Sequence, residues 1–164
     1  MPEGATINHL PFVWKGPTSL TGELAKPIKR VSLQFVIPQS GPRFVTLWRP
    51  DETGLRLYTE MHDVAERREV GVLNFEQVSE PRRDETIADA APAFQGEITA
   101  SKLIIRESGA SAESGVVLKA GNGDEIVIVA GAHPYQLAVL GVLSLPDMFY
   151  PEYPIDRYLR APIT

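Results

Sequence analysis

Proline and glycine interrupt this sequence before any helix-length pattern can establish itself. The 164-residue chain holds 14 prolines and 13 glycines, and they sit mostly between short apolar runs. No segment carries the amphipathic repeat of roughly 10 to 15 residues that an alternation of strands and helices requires. The runs that remain alternate with period two. Val31, Leu33, Phe35 and Ile37 stop at Pro38, and Phe44, Thr46 and Trp48 end in a Pro50 to Gly54 turn. Leu55, Leu57, Thr59 and Met61 then predict a strand whose return partner is Val70 to Phe75.

The C-terminal half is more regular. Val116 to Leu118 and Ile126 to Val129 flank Gly121-Asn122-Gly123-Asp124, residues that accept the positive φ of a tight hairpin turn. With Glu97 to Glu107 upstream, a Glu107 to Gly115 exit loop, and Tyr135 to Leu140 downstream, residues 97–141 predict a four-stranded antiparallel meander, because each connection is too short for a crossover helix. The expected fold is all-β: a single-domain antiparallel sandwich or partly open barrel of about eight strands, carrying an extended Pro/aromatic-rich C-terminal segment. The fallback is an α+β domain with one short helix, at 60–69 or at 84–91 with Asp84 as N-cap, although a bulged hairpin serves residues 62–69 as well. The domain spans 1–164, with 1–27 a candidate N-terminal arm or a connection between two sheets and 146–164 an extended tail.

Composition narrows the function classes. Hydrophobic residues make up 43% and charged residues 23%, which is globular rather than disordered. There is no cysteine, so disulfides, thiolate metal sites and thiol nucleophiles drop out together. The N-terminus lacks the basic and apolar regions of a signal peptide, and no apolar run approaches membrane-spanning length. A soluble, cytoplasmic protein is expected. The net charge is −5, distributed as six basic and two acidic residues in 1–50, five and eleven in 51–92, and five and eight in 93–164. Lys26, Lys29 and Arg30 are the nearest approach to a basic patch, while Arg67-Arg68 and Arg82-Arg83 sit among carboxylates. Nucleic acid is therefore not an expected partner.

Reactive motifs are sparse. Gly109-Ala110-Ser111-Ala112-Glu113 fails the G-x-S-x-G pattern at its last position, so Ser111 and Ser114 read as loop serines. Gly121 to Asp124 has no helix behind it to bind phosphate. Three histidines are present, without H-x-H or H-E-x-x-H spacing; His62, Asp63 and His133 are the metal-ligand candidates that remain. No cofactor is expected. The carboxylate pairs Asp51-Glu52, Asp84-Glu85 and Asp124-Glu125 all lie in turn-like sequence.

The most distinctive stretch is the tail, where Phe149, Tyr150, Tyr153 and Tyr158 stand among Pro146, Pro151, Pro154 and Pro162. It either wraps its own domain or docks on a partner, with Phe149, Tyr150, Tyr153, Arg157, Tyr158 and Arg160 as the partner-binding candidates. The leading expectation is a non-catalytic binding or protein-interaction module acting through a sheet edge or this tail. Its partner is another protein or, as a homodimer, a second copy, and deleting 146–164 is expected to leave the strands folded. One alternative is a small-molecule-binding β-barrel with Trp14, Trp48 and Tyr58 lining the pocket. The other is a hydrolase-like or metal-dependent enzyme using His62 or His133 with carboxylates; the balance leans away from an enzyme.

Overall fold

A computed structural model describes residues 8–35, 41–65, 68–80, 85–89, 94, 96–141 and 150–163. It is a two-sheet, all-β structure, as the alternation predicts. One sheet holds β2 (Val13–Trp14), β3 (Arg30–Gln34), β4 (Phe44–Trp48), β5 (Gly54–Ala65), β6 (Arg68–Val78) and β7 (Glu85–Asp89), in the order β2-β6-β5-β4-β3-β7. The other holds β8 (Ile98–Glu107), β9 (Ala110–Ala120), β10 (Glu125–Ala130), β11 (Leu137–Leu140) and β12 (Leu159–Pro162), in the order β11-β10-β9-β8-β12, with β1 (Asn8–Leu10) pairing parallel to β9. The four-stranded meander over 97–141 forms as expected.

Burial follows the pleat. Val31, Leu33, Val45, Leu47, Leu55 and Leu57 of the first sheet face Val116, Leu118, Ile126 and Ile128 of the second across one core. A second core gathers Val70 and Val72 of β6 with Leu103, Ile105, Ala112, Val117 and Val129. Its C-terminal contribution is Tyr158, which is 7% exposed.

Two expectations change. Residues 85–89 are strand rather than the fallback helix, and at 60–65 and 68–69 the bulged pairing holds instead of a helix: β5 and β6 pair antiparallel with a register shift between Asp63 and Ala65. Asp84 lies outside the described residues. Among the described residues the α-helix is α1 (Leu20–Leu24), where the Ser19 hydroxyl accepts from the Gly22 N–H at 3.1 Å. Second, the exit loop contracts to Ser108 and Gly109, both at positive φ (52° and 79°). That tight turn starts β9 at Ala110, so Ser111, Glu113 and Ser114 are strand residues. Of the two readings for the N-terminal stretch, residues 8–14 take the connecting one: β1 lies on β9 and β2 lies parallel to β6, stitching the sheets together. Among the described residues no helix is long and apolar enough to cross a membrane.

Candidate functional site

The C-terminal segment returns along the meander and creates a cleft. The Ala132 N–H donates to Tyr150 O and the Glu152 N–H to Ala130 O, each at 2.8 Å, while Gly131 bridges Pro151. Prolines at 151 and 154 keep this stretch extended. The register delivers Glu152 to the backbone of Gly71 on β6, whose N–H donates to its carboxyl. Glycine is required at 71 because β6 and β10 nearly touch: a Cβ there would stand 2.8 Å from the Ala130 Cβ. The Gly71 carbonyl accepts from Ser114 Oγ at 2.6 Å, so both backbone groups are occupied across the sheet junction.

The resulting cleft has a volume of about 270 Å³, with Met61, Arg68 and Glu69 on the hairpin side and Ala132, Pro134, Glu152 and Tyr153 opposite. Glu152 Oε1 is buried without a hydrogen-bond partner. Burial pushes this carboxyl up to about 7; the Gly71 N–H and Arg68 pull it down, and the Glu107 and Glu69 charges push it further up. Glu107 goes the other way. Arg68 Nε donates to it at 3.1 Å and the Tyr153 hydroxyl also donates, holding it below the ordinary carboxylate range. Burial first, then the Glu152 and Glu107 charges, raise the Tyr153 phenol to about 12. The cleft thus pairs a carboxylate that is ionised throughout the neutral range with a carboxyl poised between its two forms.

The tail residues divide into anchors and surface. Tyr158 is buried, accepts the Tyr153 N–H at 3.3 Å and meets the Tyr153 ring edge-on at 6.3 Å. Arg157 lies over Tyr153 at 4.7 Å and reaches Glu107 at 3.4 Å. Arg160 pairs with Glu125, and Tyr150 is 78% exposed. Phe149 lies outside the described residues. The described tail, 150–163, therefore wraps its own domain, with β12 antiparallel on β8.

The other candidates are placed apart. His133 is exposed between the cleft residues Ala132 and Pro134. His62 follows the cleft residue Met61 on β5 and so projects from the opposite face, with Nε2 buried and unpaired. Asp63 is exposed. Among the described residues no three His, Asp or Glu side chains converge as a metal site would need. The three aromatic pocket candidates fall on two faces of one sheet. Trp14 pairs with Phe75 and packs on the main core. Trp48 and Tyr58 follow the core residues Leu47 and Leu57 and so point the other way, Trp48 donating Nε1–H to Ser32 Oγ at 2.9 Å.

Two features escaped the sequence reading. Glu152 sits in an unremarked Pro-Glu-Tyr-Pro, and only the tail's return path buries it. The second is a polar group on β1, β8 and β9. His9 Nδ1 lies 2.6 Å from Ser111 Oγ and His9 Nε2 lies 3.0 Å from Glu113 Oε2. Lys102 Nζ reaches the same oxygen at 2.7 Å, and the Phe12 N–H donates to Glu113 Oε1 at 2.9 Å. A charged residue inside the run Ala110 to Ala120 was the available signal. No protein-family model matches the chain, and neither a curated protein nor a solved structure matches it.

Proposed function

We propose that the chain is a binding module for a protein partner, taken by the face that its C-terminal segment forms over the Glu152 cleft. The observation that supports this reading is the buried, unpartnered Glu152 oxygen in a cleft that Arg68, Glu69, Ala132, Pro134 and Tyr153 also line. Tyr150, Ile155 and Leu159 are three of the five exposed large hydrophobic residues among those described, and all three belong to this segment. A buried carboxyl oxygen left without a partner can take a donor from another chain, and exposed apolar side chains on the same segment add contact area. Three carboxyls (Glu69, Glu107, Glu152) meet two guanidinium groups (Arg68, Arg157) here, so the complementary anchor is a lysine or arginine side chain. No reactive step is required of the cleft. The cysteine-free composition supports a soluble, cytoplasmic setting.

Titration of the ¹⁵N-labelled protein with a short lysine- and arginine-containing peptide tests the reading. Saturable shifts at the Gly71, Ala132 and Tyr153 amides, abolished in Glu152→Gln, are expected. They should weaken at pH 5, where Glu152 holds its proton and a cation no longer gains from it. Shifts that persist unchanged in Glu152→Gln, or none at these amides, would remove the cleft from consideration. A solution mass of twice 18.0 kDa that reverts with Tyr150→Asp would identify the partner as a second copy.

A further inference from the structure

The partners of the His9 group assign the proton on its Nε2. Glu113 is 5% exposed. Burial alone would raise its carboxyl, but donors from Lys102, the Phe12 N–H and His9 outweigh that and hold it ionised. An ionised carboxylate only accepts, so His9 Nε2 carries the proton shared with Glu113. In the neutral imidazole His9 Nδ1 is the acceptor, and Ser111 Oγ–H is the donor 2.6 Å away. Nucleophile, base and orienting carboxylate follow one another at 2.6 and 3.0 Å, the relation that activates a hydroxyl in unrelated folds whatever the chain order. Holding β1 on β9 needs only their backbone pairing and the Phe12 N–H contact to Glu113. The continuation through the imidazole to a hydroxyl is additional, and the His9 side chain is 46% exposed, which leaves the base open to solvent.

We propose that Ser111, His9 and Glu113 form a nucleophilic site that accepts short acyl groups from activated esters. Ser111 is 8% exposed, so the entering group is small and approaches past the exposed imidazole. As Ser111 Oγ bonds to the carbonyl carbon, its proton passes to His9 Nδ1 and the carbonyl oxygen takes the electron pair. Collapse expels the alkoxide, which leaves with the proton from Nδ1 as an alcohol. Water then repeats the sequence on the acyl-serine, with His9 as base, and releases the acid and the free hydroxyl. Glu113 keeps the imidazole in its tautomer and stabilises the imidazolium between steps.

The test is intact-protein and peptide mass spectrometry after incubation with a fluorophosphonate and, separately, with p-nitrophenyl acetate. One phosphonyl group per chain on Ser111, a transient acetyl on the same residue, and loss of both in Ser111→Ala are expected. His9→Gln should slow labelling on the order of a hundredfold, the usual contribution of a general base. Thermal melts of both variants report whether the fold is intact, and the wild-type adduct needs no variant. No adduct on the folded wild-type protein, an adduct on another residue, or a labelling rate unchanged in His9→Gln would each overturn the assignment. The peptide titration at the Glu152 cleft is read independently, so either result stands without the other.

Discussion

Glu152 shows how a single side chain records its surroundings. Its folded-state value near 7 lies above the ordinary 4.5, so the folded protein keeps a proton that the unfolded chain releases. Stability contributed by this group is present in full below about 4.5, falls as pH rises toward 7, and is lost above it. Glu152→Gln removes that penalty while keeping a carbonyl for the Gly71 N–H. The substitution should stabilise by about 1 kcal/mol at pH 8 after allowance for partial exposure. In melts that is a rise in Tm of roughly 2 to 4 °C at pH 8 and much less at pH 5; equal shifts at both would mean that ionisation is not the cause. Gly71→Ala probes the same spot sterically. A methyl group 2.8 Å from the Ala130 Cβ forces β6 from β10, at a cost of about 1 to 3 kcal/mol, measurable as a lower urea midpoint with an unchanged slope. Neither effect could be read from the sequence, because Gly71 and Ala130 are neighbours only through the sheet junction.

At the scale of elements, the alternating strands β3, β4 and β5 and the meander β8 to β11 were legible because their periodicity and turn residues act locally. The segments left open or misread were those whose state is set by neighbours. Met61, Val64 and Ala65 have helical spacing, which leaves helix and bulged hairpin open along the sequence; the register that runs from Gly54 to Val78, with Met61 and Ala65 paired and Val64 in the bulge, decides for the hairpin. The Ser, Ala and Gly residues after Glu107 look like loop, yet β9 takes three partners, β1, β8 and β10, and small side chains let those strands approach. The tail obeys the same logic. Its sequence allows it to wrap its own domain or to dock on a partner, and in the fold β12 covers the edge of β8 and Tyr158 fills the second core. Ending the chain at residue 149 should therefore destabilise it by at least about 3 kcal/mol, the scale of losing one buried aromatic ring. The truncated protein is expected to melt lower or to aggregate through the uncovered edge, as size-exclusion chromatography and thermal melts will show. A truncate with unchanged Tm would mean that the tail is dispensable to the fold, which was the expectation from sequence.

For the whole molecule, the decisive contacts join distant parts of the chain. Residues 8–10 pair with 110–112, and β12 returns to β8. Such long-range pairing places refolding in roughly the millisecond-to-second range rather than microseconds. The buried Trp48 offers a fluorescence signal for stopped-flow measurement, and a microsecond relaxation would contradict this ordering of events. By itself the sequence determined the class of fold, the strand-rich middle and the absence of thiol chemistry, because period-two alternation, proline and glycine turns and residue inventory are properties of neighbours along the chain. Only the tertiary structure decided where the chemistry lies. Glu152 is half-buried with one oxygen enclosed, and Ser111 and Glu113 meet His9 about a hundred residues away, through sheet register and the path of two terminal segments. Those are set by the burial of apolar faces at a distance, which no local pattern encodes.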